Sequence, residues 1–137
     1  MTLFTSDIKK TYFKTIIIYI CATIFAVLVN WIYSFFSHDV SSDYMTFAFL
    51  YPLILGVGVY IILFFINWYN RVSYNMYNAA VATITVGSFL VGVNEIAGAD
   101  SVYYNYFYLL SIIFFIASIL YPIINLILGK IVERKGK

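Results

Sequence analysis

The stretch VNEIAGAD, residues 93–100, sets Glu95 and Asp100 at the close of one of the most apolar regions of the chain. A carboxylate in such a place suits two tasks: carrying a proton or anchoring a polar cluster. Its own helix supplies company. At 100° per residue, Asn78, Thr85, Ser88, Gly92 and Glu95 fall within an arc of about 100°, and Ala80, Thr83, Gly87, Asn94 and Gly98 form a second stripe roughly opposite. Small residues let helix backbones approach, and hydroxyls and amides bond across the contact, so packing is the first expectation for both stripes. Further along, Ser111, Ser118 and Asn125 recur every seven residues, which keeps them on one helix face with about 20° of drift per heptad. Asn30, in VNWI at residues 29–32, occupies the place that Asn94 holds in VNEI at 93–96. The matching pair is what a tandem two-helix repeat would leave, and also what chance gives in so biased a composition.

Other chemistries lack their residues. The sequence contains no H-E-x-x-H, no Gly-x-Ser-x-Gly elbow, no phosphate-binding glycine loop and a single cysteine, Cys21, so no catalytic group and no resident cofactor is assigned. Cys21 is expected as a buried, inert thiol. With one histidine, His38, a zinc or bis-histidine haem site cannot be assembled. His38 beside Asp39 and Asp43 offers at most weak cation binding, and a solvated acidic loop is the simpler expectation, so no metal is assigned. Arg71 in NWYNRVSYN suits either a lipid phosphate or a topology charge. The basic residues are too dispersed for a nucleic-acid surface.

The elements that position these groups follow from composition. With 64% hydrophobic and 10% charged residues in 137, the chain carries more apolar surface than a water-soluble core of this size can bury. Lipid is therefore its solvent, and each span must satisfy its own backbone hydrogen bonds as a helix. Four runs have the length to cross a hydrocarbon core of about 30 Å: 12–36, 45–66, 77–97 and 106–128. Short links make neighbours antiparallel, so the expected fold is all-α, a compact four-transmembrane-helix bundle forming one membrane domain over residues 1–137. The third helix, with two small-residue stripes, is expected at its centre. Thr5 or Ser6 is a candidate N-cap for a short interfacial helix ahead of the first span, and 129–137 is a basic tail.

All eight basic residues lie before the first span or in its opening turn, between the second and third, or after the fourth. Asp39, Asp43, Glu95 and Asp100 lie at the other ends. The positive-inside rule then places both termini in the cytoplasm of a multi-pass cell-membrane protein. Glu95 sits eight residues beyond the middle of its helix, about 12 Å toward the outside, near the rim of the hydrocarbon core rather than at its centre. Proline at 52 marks either a kink or a tolerated position, and Pro122 is expected to kink the fourth helix. Tyr44, Tyr51, Tyr69, Tyr74, Tyr77, Tyr103, Tyr104, Tyr106 and Tyr108 cluster near the helix ends and are expected mainly as interfacial belt residues.

Three functions fit this pattern. The foremost is a non-enzymatic accessory, assembly or immunity-type protein that works through contacts with a membrane-protein partner or further copies of itself in the lipid bilayer. The alternative is a small oligomeric transporter or channel with a polar path along the third helix near Glu95. A membrane enzyme or redox subunit has the least residue-level support.

Overall fold

The computed structural model describes residues 2–36, 40–66, 68–99 and 102–135, with side chains described from Ser6 to Gly129 within those stretches. His38, Asp39 and Asp100 lie outside the described residues, as do the side chains of Leu3, Phe4, Thr5, Lys130, Arg134 and Lys135 and the whole of Lys137. All regular structure in the described residues is helical: α1 Thr2–Phe36, α2 Asp43–Thr46, a π-helical segment Tyr51–Gly58, α3 Val59–Ile66, α4 Arg71–Ala97 and α5 Tyr104–Lys135. Four stretches are long and apolar enough to span a membrane, namely Ser6–Phe36, Asp43–Ile66, Arg71–Ala97 and Tyr104–Gly129.

The first helix departs from expectation at its start. No glycine or proline occurs in its first 36 residues, so nothing separates an interfacial helix from the span, and α1 runs unbroken for 35 residues. Thr5 and Ser6 are thus interior positions, not N-caps. The Thr11 and Thr15 hydroxyls return to the carbonyls four residues earlier, at 3.0 and 2.9 Å, so they add no break. Among its described side chains α1 buries one narrow face, at Ile8, Tyr12, Thr15, Tyr19 and Ala26, a near-heptad spacing that gives a single seam. Cys21 is about 200° from Tyr19 on the helix wheel and is exposed, which corrects its expected burial.

The second span is composite. Ser42 caps α2, accepting the Met45 amide at 3.4 Å, and a turn at residues 47–49 leads to Pro52. Proline contributes no N–H, so the regular i→i−4 ladder cannot run through it. The chain widens into eight residues of π-helix before α3 resumes the α geometry. The proline is therefore more than tolerated: it sits in the first turn of a rare helix form that clusters at functional sites.

At its start α4 reaches further back than the apolar run alone indicates. Asn70 is extended and its Oδ1 accepts the Val72 and Ser73 amides at 3.0 and 3.2 Å, fixing the N-terminus at Arg71. The C-terminus closes at Gly98, with φ 63° in the left-handed region where glycine is unstrained. Its amide donates to the Glu95 carbonyl at 3.3 Å and the Ala99 amide to the Asn94 carbonyl at 2.9 Å. Pro122 is accommodated without ending α5.

Packing makes α4 the centre, as its two stripes predict. It lies against α5 on one side and against α2 and the π segment on the other, while α1 packs on the π segment and α3. The bundle does not close, however. Among the described residues no Cα of α1 comes within 8 Å of one in α4 or α5, and none of α3 within 8 Å of α5. Among the described residues, lateral clefts of about 510 Å³ lie between α1 and α4 and of about 360 Å³ between α3 and α5. The physical cause is bulk: tyrosine rings, not small residues, occupy the seams around α3 and hold the backbones apart.

Candidate functional site

Two polar constellations form, one at each end of the bundle. At the end bearing Glu95, the Ser42 hydroxyl donates to Glu95 Oε2 while its oxygen caps α2. One serine thus ties the carboxylate to the start of the second span. Ser88 donates to the Tyr44 carbonyl at 2.7 Å. Gly92 lies flat against Met45, where an added β-carbon would come within 2.5 Å of the Met45 β-carbon and 3.1 Å of its amide nitrogen. Ser88, Gly92 and Glu95 therefore form a docking rail for α2. Glu95 is itself exposed, and Asn30 lines a small recess of about 90 Å³ with Ser42 and Ile96. Asn94 is half-buried, with its carbonyl used in the helix terminus.

The opposite end holds a cluster of tyrosines. Tyr60 is almost wholly buried, and the rings of Tyr12, Tyr19, Tyr74 and Tyr77 surround it at centroid distances of 5.6 to 5.9 Å. Tyr69 joins through Tyr12 and Tyr74, and Phe115 of α5 meets Tyr77 edge-on at 5.4 Å. Every hydroxyl with a described bond points to a polar partner rather than to lipid. Tyr19 and Tyr60 both donate to Asn78 Oδ1, at 2.7 and 2.9 Å. Tyr77 donates to the Leu55 carbonyl at 2.7 Å, within the π segment. Tyr12 donates to the Trp68 carbonyl, and Tyr74 and Thr15 share a bond of 2.6 Å. Asn78 is the hub that joins α1, α3 and α4.

Tyr69, Tyr74 and Tyr77 pack into this aromatic cluster, which the reading of tyrosines as belt residues did not foresee, whereas Tyr44, Tyr103 and Tyr106 are exposed. The missed signal was spacing: Tyr12 and Tyr19 are seven residues apart, and Tyr74 and Tyr77 three, so each pair shares a helix face with Asn78 or Thr15.

The remaining polar residues separate rather than converge. Thr85 turns back to the Val81 carbonyl at 2.7 Å and Thr83 to the Ala79 carbonyl at 2.7 Å. Ser111 donates across the helix contact to the Ala80 carbonyl at 3.0 Å, and a β-carbon on Gly87 would meet Phe107 Cβ at 2.9 Å. The second stripe thus meets α5. Ser118 is buried, with its hydroxyl on the Phe115 carbonyl at 2.8 Å. Asn125, expected on the same packed face, is exposed, because α5 has run past the start of α4 by that point. No group of three His, Cys, Asp or Glu side chains comes together among the described residues.

Chemically, the arrangement provides internal polar bonds and open apolar surface. Comparison of the chain with protein-family models, with curated proteins and with solved structures finds no match.

Proposed function

We propose that the protein is a non-enzymatic membrane interaction protein, an accessory, assembly or immunity-type subunit whose α1–α4 cleft receives a helix of a membrane-protein partner. The carrying observation is a cleft of about 510 Å³ between α1 and α4, bridged at one end by the Thr15–Tyr74 and Tyr19–Asn78 bonds and lined beyond them by Ala22, Ala82 and Thr85 together with Phe25, Val86 and Phe89. One turn of helix, 10–12 Å across and 5.4 Å high, occupies roughly 420–610 Å³. Small walls allow the close backbone approach that drives association in lipid.

A solute path along α4 has less support. Asn78 is engaged by two tyrosines, Thr85 by its own helix and Ser88 by the Tyr44 carbonyl. Asn78 and Ser88 are also about 15 Å apart along the axis. In this proposal both termini and Arg71 are cytoplasmic, and the Ser42–Glu95 pair faces outside.

Reconstitution of the purified protein in liposomes tests the choice. No flux of protons, alkali cations or small anions above protein-free vesicles is expected. Flux that Glu95→Gln abolishes without loss of assembly would instead establish the transport function.

A further inference from the structure

Asn78 leaves the α1–α4 cleft with one polar group unfinished. It lines the cleft, and its Oδ1 accepts from both Tyr19 and Tyr60, which takes both lone pairs of that oxygen. Its Nδ2 carries two N–H donors, and neither has an acceptor among the described residues. Turning the amide over would not help, because both tyrosine hydroxyls would then lose their acceptor. Nor is Nδ2 sealed off. Among the described residues, the enclosed side-chain atoms without a partner are Ser73 Oγ and the Tyr108 hydroxyl, so the Asn78 amide keeps surface open to an occupant of the cleft.

The other polar side chains of the lining have placed their hydrogens. Thr15 donates to the Thr11 carbonyl and Thr85 to the Val81 carbonyl. Tyr74 shares a bond with the Thr15 hydroxyl, whose own hydrogen is used, and so donates to it, while Tyr19 donates to Asn78 itself. The cleft therefore offers spare donors at one point. Asn78 lies six residues from Ile84, the middle of α4, or about 9 Å along the axis. In a bilayer centred on that helix, this is inside the hydrocarbon half-thickness of about 15 Å. Water is scarce at that depth, so an acceptor has to come with the occupant.

Resting on the reading of this cleft as the dock for a partner helix, we infer that the docked span carries an uncharged side chain with an accepting oxygen, that of Asn, Gln, Ser or Thr, which bonds Asn78 Nδ2. The backbone carbonyls of the span are engaged within its own helix. A carboxylate would be buried beside a lining that contains no cation. Asn78 of a second copy cannot serve either, since its Oδ1 is already filled. A bond across the contact also fixes the depth and rotation of the incoming helix, which apolar walls alone leave free.

Benzoylphenylalanine in place of Ile18, which lines the cleft beside Tyr19 and is 63% exposed, is photo-crosslinked in native membranes and the attached peptide is sequenced. The expected peptide is a membrane span of another protein with Asn, Gln, Ser or Thr within one helical turn of the attachment point. Leucine at that residue is expected to lower the partner retained by the parent chain in mild detergent about three- to thirtyfold. In an Asn78→Ala chain the same leucine should cost less than about twofold more. Because the leucine substitution leaves this chain intact, a poorly folding Asn78→Ala does not remove the test. A span that is apolar throughout that turn, or one retained undiminished with leucine in place, would overturn the acceptor while the helix dock stands. Attachment only to lipid, or to a second copy of this chain, would overturn the dock and the acceptor together.

Discussion

Asn78 shows how much of this protein rests on single polar atoms. Its Oδ1 accepts from Tyr19 of α1 and Tyr60 of α3, so replacing it strands two hydroxyls at once. Asn78→Leu is expected to destabilise the fold by about 1–3 kcal/mol, read as a lowered unfolding midpoint in mild detergent, and Tyr19→Phe by less because Tyr60 keeps its acceptor. Equal midpoints for Asn78→Leu and the parent would show that the hub carries no stability. Glycines mark the other sensitive points. A methyl on Gly92 meets the Met45 backbone as well as its side chain, and one on Gly56 meets the Tyr19 ring, which its bond to Asn78 prevents from swinging aside. Gly92→Ala and Gly56→Ala should each cost about 1–3 kcal/mol through overpacking. Gly129→Ala, with open space around it, serves as the control and should leave the midpoint in place.

Among the elements, the second span is the least regular and the most informative. Its π segment gives Tyr77 a carbonyl to bond, at Leu55, and brings Gly56 beneath Tyr19. Pro52 is the residue that interrupts the α ladder there. With Pro52→Ala the amide is restored, and hydrogen exchange across residues 53–58 is expected to slow toward that of α3; unchanged exchange would place the cause of the π geometry elsewhere. Ser42→Ala removes both the α2 cap and the Glu95 contact. It should speed exchange across residues 43–46, in keeping with the roughly 0.5–2 kcal/mol that such a cap supplies, while the tyrosine cluster stays protected.

The four spans and the central place of α4 were legible in the sequence because run length and small-residue stripes survive any detailed packing. The end of the third span at residue 97 was legible too, because the apolar run stops there and a glycine follows. The tyrosine core was not. Tyrosine suits both the membrane interface and a buried hydrogen-bonded pair, and only the meeting of three helices at Asn78 distinguishes them. The π segment was equally hidden, because proline and glycine in a lipid-phase helix permit several backbones.

On the scale of the whole molecule, the open clefts decide the account. Asn78 Oδ1 and the Thr85 and Ser88 hydroxyls, which a solute path would need, are engaged within the chain, whereas α1 and α4 flank a recess of about 510 Å³ whose lining includes Ala22, Ala82 and Thr85. Compactness was expected from short links, yet links constrain only which helices follow one another. The seams are set by what fills them, and rings fill these seams on the α3 side. The proposed orientation, with the basic ends of the helices in the cytoplasm, rests on the positive-inside rule. Cysteine labelling in intact cells checks it: a cysteine at Val102, in a Cys21→Ser background, should react with an impermeant maleimide, and one at Ser6 should not. The most direct measurement is affinity purification from native membranes in mild detergent, with the parent and Ala82→Trp chains compared quantitatively. A membrane protein held at near-equal stoichiometry by the parent, and lost when tryptophan fills the α1–α4 recess of an intact fold, is the predicted result. A parent chain that purifies without any such partner, or a partner retained undiminished by Ala82→Trp, would contradict it.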